Sequence, residues 1–341
     1  MNIFRKPLFL AGLLTLSVMF LGSFVYSWIV PESEKPIVTA LYEKGVMIKS
    51  APLPPHDNAV FGTDRFGVTM WHKTADGAKY TIGLALFLAG GRMIIGIVIG
   101  MALSFLPGKM LLIMKKAFEA FFYAPSTLIV YMVAYPALIV FTWAITKNEQ
   151  LFAALAVIIL VAIPPVAINT ANEISHALRF EFITSVKTLG GSRLYILRRH
   201  ILPFLWPKFA IFFGQQTVAV LLLLAHLGVL KVFIGGIDYV TLEPMDNQVL
   251  PVAMMNEWAS MIGSSFQNFR TYPWLILTPL TGFALAIVAV NLMVEAAKEH
   301  YLDKGRSSGT NRRKKQKTLN EDTISPDSVS PFHRLKKTGT E

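Results

Sequence analysis

The chain has 341 residues, of which 53% are hydrophobic and 16% are charged, and its formal net charge is +11. A soluble domain usually carries about 25% charged residues, so this composition indicates a membrane protein. The basic residues fall mainly between apolar runs and in the C-terminal tail, a distribution typical of positive-inside topology rather than of a nucleic-acid groove. The chain has no cysteine, which excludes disulfides, thiolate metal sites and a thiol nucleophile.

The first apolar run covers residues 8–30 and is long enough to cross a bilayer as a helix. The alternative is a cleaved signal peptide, which has an apolar core of about 7–15 residues and a small-residue cleavage site. Neither feature is present, so we expect a retained membrane anchor. The following segment, residues 31–77, is polar and rich in proline, and we expect it to lie outside the cytoplasm.

Five further apolar runs predict five more spans, several of which contain proline or glycine. Such residues are tolerated in a membrane bundle because neighbouring helices and local backbone adjustments satisfy the freed backbone groups. The five runs are residues 79–106, 117–145, 151–170, 209–230 and 273–297. Between the third and fourth spans, residues 147–150 leave room only for a tight external turn.

Lysine and arginine are concentrated after spans two and four and in the tail beyond residue 297. By the positive-inside rule these segments are cytoplasmic, which places both termini inside. The predicted fold class is therefore all-α integral membrane with six transmembrane helices. We divide the chain into an anchor and extracellular segment (1–77), a five-helix core (78–303) with a cytoplasmic loop (171–208), and a disordered basic cytoplasmic tail (304–341).

The cytoplasmic loop contains a short amphipathic helix. Phe182, Val186 and Leu189 fall on one face at helical spacing, and Gly190 ends the helix because glycine readily adopts the left-handed conformation of a C-terminal cap. Such a helix presents an apolar face to a partner's groove. The alternatives are an interfacial helix on the lipid headgroups and a loop packed internally.

A second short helix follows. Ser192 supplies its N-cap, and we expect the helix to end near Pro203, because proline removes a backbone donor and clashes with the preceding turn.

The same loop resembles the signature loop of ATP-binding-cassette (ABC) importer permeases, which contains Glu-Ala-Ala, a glycine four positions later and a closing Leu-Pro. Gly190 matches the glycine, and Leu202 with Pro203 matches the closing pair. Residues 199–203 have the form typical of the oligopeptide and dipeptide branch. The Glu-Ala-Ala triplet is replaced by residues 184–186, so the family's contact through that glutamate is not carried over to this chain.

Three further segments resemble the same branch, in the same order. Before span two, residues 56–67 resemble a His-Pro-x-Gly-Thr-Asp-x-x-Gly stretch. Before the last span, residues 258–262 resemble a Trp-Gly-x-Met-Leu element, and Pro273, Trp274, Pro279 and Asn291 then fall where that span's pattern puts them. The branch has a further characteristic element after span five, and residues 225–228 of this chain keep only part of it. The matching residues of the first stretch are His56, Gly62, Thr63, Asp64 and Gly67.

The resemblance implies a permease subunit with the ABC type I importer permease fold, in the cytoplasmic membrane of a bacterium, carrying peptides or a similar small solute. It implies two cytoplasmic ABC ATPase subunits, a second homologous permease subunit and an extracellular solute-binding protein as partners. The sequence has no Gly-x-x-x-x-Gly-Lys-Ser/Thr loop, so another chain must bind the nucleotide. The implied ATPase-coupling residues are Glu181, Phe182, Thr184, Ser185, Val186, Lys187, Leu189, Gly190, Arg199, Leu202 and Pro203.

Two features inside the predicted spans have alternative interpretations. Arg92, near the middle of span two, is either a pathway-lining cation that attracts a substrate carboxylate or an arginine satisfied by backbone carbonyls. His226 is a packed or interfacial histidine rather than a metal ligand, because no His, Asp or Glu stands at ligand spacing beside it. We therefore expect neither a metal nor a cofactor.

In the tail, the basic run 312–315 either contacts anionic membrane lipid or only fixes the topology. The rival classes are a secondary transporter or channel working alone and an intramembrane enzyme. The first often shows internal repeats and the second needs clustered catalytic groups, and the sequence has neither.

Overall fold

The computed structural model describes residues 3–31, 34–43, 46–136, 146–232, 234, 237–243, 246–253 and 255–322. The helices are α1 (Pro7–Ile29), α2 (Met70–Ser104), α3 (Gly108–Tyr123), α4 (Ser126–Tyr135), α5 (Lys147–Ala177), α6 (Glu181–Thr188), α7 (Arg193–Ile196), α8 (Leu202–Val229), α9 (Trp258–Ser265) and α10 (Trp274–Asp322). Two antiparallel hairpins, β1 (Ala40–Glu43) with β2 (Val46–Ser50) and β3 (Ile237–Glu243) with β4 (Asp246–Ala253), complete the fold.

Five helical segments within the described residues are long and apolar enough to cross a membrane. They are α1, α2, residues 148–177 of α5, the continuous helix 193–229 that contains α7 and α8, and residues 274–301 of α10. The chain is thus a helical, multi-pass membrane protein.

The segment predicted as the third span is divided in the structure. α3 ends at Tyr123, and α4 begins at Ser126 after an interruption at Pro125. The interruption follows from the chemistry of proline, which lacks a backbone N–H and disfavours helical geometry in the residue before it. Residues 137–145, the rest of this predicted span, lie outside the described residues.

Two helices begin earlier than the apolar pattern predicts. α2 begins at Met70 rather than residue 79, so its first turns carry Lys73 and Asp76. α5 begins at Lys147, so residues 147–150 form its first turn instead of a connecting turn. A capping box explains this start: the Glu149 carboxylate accepts from the Thr146 backbone N–H at 2.7 Å, and the Thr146 hydroxyl accepts from the Glu149 N–H.

α2 packs against α1, α5, α8 and α10 and forms the centre of the bundle. Its closest neighbour is α5, and two glycines allow the approach. A Cβ at Gly96 would lie 2.4 Å from Val166 Cγ1, and one at Gly100 would lie 2.6 Å from the Ala167 carbonyl oxygen. Because no larger residue fits at either position, these glycines set the spacing of the two helices.

α1 lies at the edge of the bundle, against α2 and α10. Its outward side is apolar: Leu14, Val18 and Leu21 are 66%, 62% and 60% exposed. In a membrane protein such a surface contacts lipid.

The bundle has two dissimilar ends. We define the loop end as residues 34–69, the β3–β4 hairpin and α9, which lie where α2 and α10 begin. The coupling end is residues 178–201, which contain α6 and α7 and lie where α2 ends.

The last helix extends to Asp322, whereas the sequence predicts disorder beyond residue 304. Residues 305–322 contain three arginines, three lysines and one glutamine and no proline, and these long side chains favour a helix. Residues 323–341 lie outside the described residues.

Candidate coupling site

An isoleucine holds α6 on the bundle. Ile183 is fully buried, and it belongs to an apolar cluster that includes Ile174 of α5, Ile196 of α7 and Leu205 of α8. This cluster joins α6 to three other helices, so α6 is attached to the membrane bundle by packing and not only by the chain.

The end of α6 follows the sequence prediction. Gly190 has a φ of +83°, and the Gly191 N–H donates to the Val186 carbonyl at 3.1 Å, which closes the helix with a left-handed cap. Ser192 then caps α7, its hydroxyl accepting from the Tyr195 N–H at 3.3 Å. Both local predictions are confirmed.

The apolar face predicted on α6 divides into a packed part and an exposed part. Val186 is half-buried beside the Ile183 cluster, whereas Phe182 is 47% exposed and Leu189 is 87% exposed. Two of the three apolar side chains on this face of α6 therefore remain exposed.

Phe182 is exposed but held in place by other rings. Its ring stacks on Phe180 with centroids 5.9 Å apart and lies 6.4 Å from Phe204. Phe180 and Phe204 in turn meet edge to face at 5.4 Å. Because Phe204 belongs to α8, this aromatic group connects the exposed ring directly to a spanning helix.

Pro203 does not end the second helix, contrary to the sequence prediction. A π-helical turn, Leu197–Ile201, joins α7 to α8, and Pro203 sits in the first turn of α8. The wider turn accommodates the proline, whose missing N–H costs little at the start of a helix. Of the predicted coupling residues in this part, Arg199 and Pro203 are exposed and Leu202 is half-buried.

Small and charged side chains complete the surface of α6. Thr184 and Ser185 are exposed, and the Ser185 hydroxyl donates to the Glu181 carbonyl at 3.2 Å within the helix. Lys187 and Arg193 border a cavity of about 210 Å³ that also reaches Ser104 and Phe105, at the end of α2. The coupling end thus combines exposed apolar side chains with positive charge.

The Gly-Thr-Asp stretch has a structural role at the loop end. Gly62 has a φ of +73°, and a Cβ there would lie 2.7 Å from Trp274. The Thr63 hydroxyl accepts from the Leu53 N–H at 2.9 Å, and the Thr63 carbonyl accepts from the Trp274 indole N–H at 3.1 Å. This turn fastens the segment before α2 to the start of α10.

Asp64 organises the next turn. Its Oδ1 accepts from the Phe66 and Val68 N–H groups at 2.9 and 2.8 Å, and its Oδ2 pairs with Lys73 Nζ at 2.7 Å. Gly67, with a φ of +80°, closes the same turn. His56 Nδ1 lies 2.8 Å from the Pro54 carbonyl.

Comparison with known proteins finds relatives that are named as peptide-transport permeases. No family model matches the chain. The dipeptide transport system permease protein DppC of Lactococcus lactis subsp. cremoris is 26% identical over 161 residues, which are 47% of this chain and 44% of that protein. DppC of Alkalihalophilus pseudofirmus is 22% identical over 70% of both chains. The peptide transport system permease protein SapC of Haemophilus influenzae is 26% identical over 70% of this chain and 74% of its own length.

This chain is a relative of peptide-transport permeases. The family resemblance predicted from the loop motif is thereby confirmed. The segment matched to the first of these relatives spans less than half of that protein.

Arg92 belongs to α2, is 3% exposed, and extends its side chain toward α5. Its Nε donates to the Ile158 carbonyl oxygen at 3.1 Å. This contact is of the kind expected if backbone carbonyls satisfy the arginine.

The chain also contains a partly buried polar network that sequence reasoning missed. At the loop end, Asp76 Oδ1 accepts from Ser27 at 2.6 Å and from Lys79 at 2.7 Å, while Oδ2 accepts from Asn256 at 2.9 Å. The network joins α1, α2 and the segment before α9. The sequence offers one signal, an Asp–Lys pair at i,i+3 beside an apolar run.

Glu257 is a second polar residue that the sequence analysis did not single out. Its side chain is buried and caps α9, accepting from the Ala259 and Ser260 N–H groups and from the Ser260 hydroxyl at 2.7 Å. Burial raises the pKa of the Glu257 carboxyl above its ordinary value of 4.5, although these hydrogen bonds act in the opposite direction.

Proposed function

We propose that this chain is the transmembrane permease subunit of an ATP-binding-cassette importer in the bacterial cytoplasmic membrane. It moves peptides or a similar small solute, and separate subunits hydrolyse the ATP. The observation that supports this most is α6, a short helix that exposes Phe182 and Leu189 while Ile183 anchors it to the bundle. The peptide-transport relatives agree with it.

The exposed side of α6 has the properties of a docking surface. Large apolar side chains that stay exposed together indicate an interaction site, and an amphipathic helix seated in a partner's groove is a common recognition mode. In this proposal the partner is an ABC ATPase, and Phe182 and Leu189 enter its groove. Lys187 and Arg193 pair with carboxylates at the rim, where an exposed ion pair contributes only about 0–1 kcal/mol.

The packing of α6 connects it mechanically to the membrane helices α5 and α8. When the ATPases close on ATP, α6 moves, and the Ile183 cluster and the Phe180–Phe204 contact carry the displacement to α5 and α8. Well-packed interiors resist compression and transmit strain. ATP shifts the pathway between inward-facing and outward-facing states only if the two states differ in their free energy of interaction with ATP.

The proposed assembly rests on the resemblance of the cytoplasmic loop to that of ABC importer permeases. The coupling end and both termini face the cytoplasm, and the loop end faces outward toward a solute-binding protein. Residues 117–145 complete the six spans of the ABC type I importer permease fold. Two ATPases and a second homologous permease subunit complete the transporter, and this chain itself carries no catalytic residue and no cofactor.

The relatives' names support a peptide as the transported solute. A substrate-binding role for Arg92 would require a state of the transporter that opens the space between α2 and α5, because Arg92 is buried against the Ile158 carbonyl in this structure. The Gly-Thr-Asp stretch acts indirectly, because it shapes the outer surface that meets the binding protein.

Affinity purification from the native cell tests the proposal. A tagged wild-type chain in mild detergent should bring down an ATPase with a phosphate-binding loop in near-stoichiometric amount. Leu189→Asp puts a charge on the docking surface and should lose the ATPase.

Val60→Asp is the matched control, since Val60 is 70% exposed but lies at the loop end. This variant should retain the ATPase. If the wild-type chain comes out alone, or only with copies of itself, the importer proposal fails and a transporter working alone takes its place.

A further inference from the structure

The cavity at the coupling end, of about 210 Å³, lies between the last residues of α2 and the short helices α6 and α7. Ser104 and Phe105 border it from α2, Lys187 from α6 and Arg193 from α7. One water molecule occupies about 30 Å³ in the liquid, so the cavity has room for a polyatomic anion with part of its hydration shell. The exposed apolar side chains of α6 do not border it.

The floor of the cavity is closed. Four apolar residues line it, and each is at most 5% exposed: Ile174, Ile196, Leu197 and Ile201. They pack together with Ile183 in one cluster. A hydrocarbon chain therefore finds no space behind them, and a ligand can occupy only the outer, accessible part of the cavity.

Lys187 and Arg193 give that outer part a positive charge. Both side chains are exposed, and neither makes an ion pair with a residue that the structure describes. The described residues that line the cavity include no carboxylate. Glu181 lies six positions before Lys187 on α6, which places it roughly 120° away around the helix. The two cations are therefore available to an anion from outside the chain.

The surrounding surface has the same sign of charge. Residues 178–201 contain five lysines and arginines and one carboxylate residue. The C-terminus of α2 contributes about half a negative charge, which the two full positive charges at the cavity exceed. The electrostatics of the coupling end thus favour an anionic ligand over a neutral or cationic one.

The cavity lies at the depth of the lipid headgroups. α2 can cross a membrane, and apart from the buried Arg92 its sequence carries no charge after Lys79. About 20 residues cross the hydrocarbon core, so Ser104 lies just beyond the core. Phe105 follows it and is 38% exposed, in agreement with the gathering of aromatic side chains at the membrane interface. Phospholipid phosphates are found at this depth.

We propose that the cavity binds the phosphate group of an anionic membrane phospholipid. Arg193 donates two N–H groups to phosphate oxygens, a geometry that suits a guanidinium. Lys187 adds a second charged contact, and the acyl chains stay in the bilayer outside α2. This site goes beyond the transport function and depends only on the placement of α2 in a membrane.

The bound lipid connects α6 and α7 to the end of α2. It does not compete with the rim contacts proposed for the ATPase, because a guanidinium has five N–H donors and an ammonium has three. Each lysine or arginine close to an anionic membrane surface favours binding about fivefold. Two such residues at one cavity are enough to select an anionic lipid from a mixture with a zwitterionic one.

Hydrogen exchange of the full-length chain tests the site, in vesicles of phosphatidylcholine alone and in vesicles that also contain phosphatidylglycerol. The anionic lipid should slow exchange in the peptides that cover α6 and α7 about fivefold, because it adds a connection between these helices and α2. Exchange in α9, at the other end of the molecule, should be the same in both kinds of vesicle.

The double variant Lys187→Gln with Arg193→Gln removes both phosphate contacts and should abolish this effect of phosphatidylglycerol. Arg198→Gln with Arg199→Gln is the matched control. It removes the same number of charges from exposed positions of the coupling end that do not border the cavity. The control should keep the full effect of the anionic lipid.

The proposal is overturned if phosphatidylglycerol leaves exchange in α6 unchanged in the wild type, or if the two double variants respond equally to it. Inorganic phosphate, added to the chain in neutral detergent, separates the lipid from a soluble source. Protection of α6 by inorganic phosphate but not by phosphatidylglycerol would overturn the lipid assignment. So would a loss of the ATPase from the first double variant in affinity purification without any effect of lipid, since the cavity would then belong to the ATPase interface.

Discussion

The two ends of the helical bundle are stabilised by different kinds of contact. At the loop end, partly buried polar contacts join α1, α2 and the segment before α9: Asp76 accepts hydrogen bonds from Ser27, Lys79 and Asn256 at 2.6–2.9 Å. At the coupling end, a fully buried Ile183 and a group of rings hold α6, while Leu189 remains 87% exposed.

The difference indicates how each end is used. Buried polar groups are costly unless every partner is in place, so the loop end is committed to one geometry. An apolar anchor tolerates small displacements and leaves the outer side of α6 available to another protein. The loop end thus fixes the bundle, whereas movement and partner recognition are the roles proposed for the coupling end.

The largest expected effect is at the loop-end network. Asp76→Ala leaves Lys79, with 12% of its side chain exposed, without its partner, and breaking such a pair costs about 3–5 kcal/mol. Denaturant unfolding in mixed micelles measures the loss. The double variant Asp76→Ala with Lys79→Met should recover much of the lost free energy of unfolding, because the unpaired charge is removed. If nothing is recovered, charge pairing does not hold the network together.

The second-largest loss of stability is expected for a substitution of Asp64, which lies at the same end. Asp64→Ala removes the acceptor of two backbone N–H groups and the partner of Lys73, so we expect a loss of about 3 kcal/mol in the free energy of unfolding. Asp64→Asn keeps an acceptor for both N–H groups and loses only the ion pair. It should therefore cost clearly less in the same measurement, and equal losses would contradict this account of the turn.

The anchor of α6 should have a smaller and more local effect. Ile183→Ala removes a fully buried side chain, which costs about 2 kcal/mol or more. Hydrogen exchange should show faster exchange in α6 and α7 and unchanged protection in α1 and α9. Thr184→Ala, at the exposed neighbouring position, is the control and should leave α6 protected; loss of protection at both ends would contradict a local anchor.

Glu257 makes stability depend on pH. Because burial raises the pKa of its carboxyl above 4.5, its contribution to stability is fully present below pH 4.5 and is lost as pH rises through the raised value. Glu257→Gln cannot ionise, so its unfolding free energy should fall less than that of the wild type over this range. Parallel pH profiles for the two proteins would rule the effect out.

The smallest effect on stability should come from Leu189, which is 87% exposed at the coupling end. Leu189→Asp should change the free energy of unfolding by no more than about 0.5 kcal/mol, as surface substitutions usually do. Thermal unfolding in detergent measures this. Together with loss of the ATPase in affinity purification, that result would separate recognition at α6 from folding; a large loss of stability would make Leu189 a packing residue instead.

Much of the local structure follows from the sequence alone. Apolar runs of sufficient length predict the membrane-crossing helices that the described residues contain, because a bilayer requires about 20 apolar residues per helix. Gly190 and Ser192 predict the break between α6 and α7, since a positive φ and a capping hydroxyl act within a few residues. The Thr146–Glu149 capping box was equally local and marked a helix start that the apolar pattern alone hid.

The tertiary structure decided which residues are packed, exposed or hydrogen-bonded at each end of the bundle. Helical spacing placed Phe182, Val186 and Leu189 together, but only packing separated the half-buried Val186 from the exposed pair and made Ile183 the anchor. Asp76 and Asn256 are 180 residues apart, and their hydrogen bond exists because α2 and the segment before α9 are brought together. Local patterns determine where helices form and end; burial and polar pairing depend on which distant surfaces meet, and that is a property of the packed bundle.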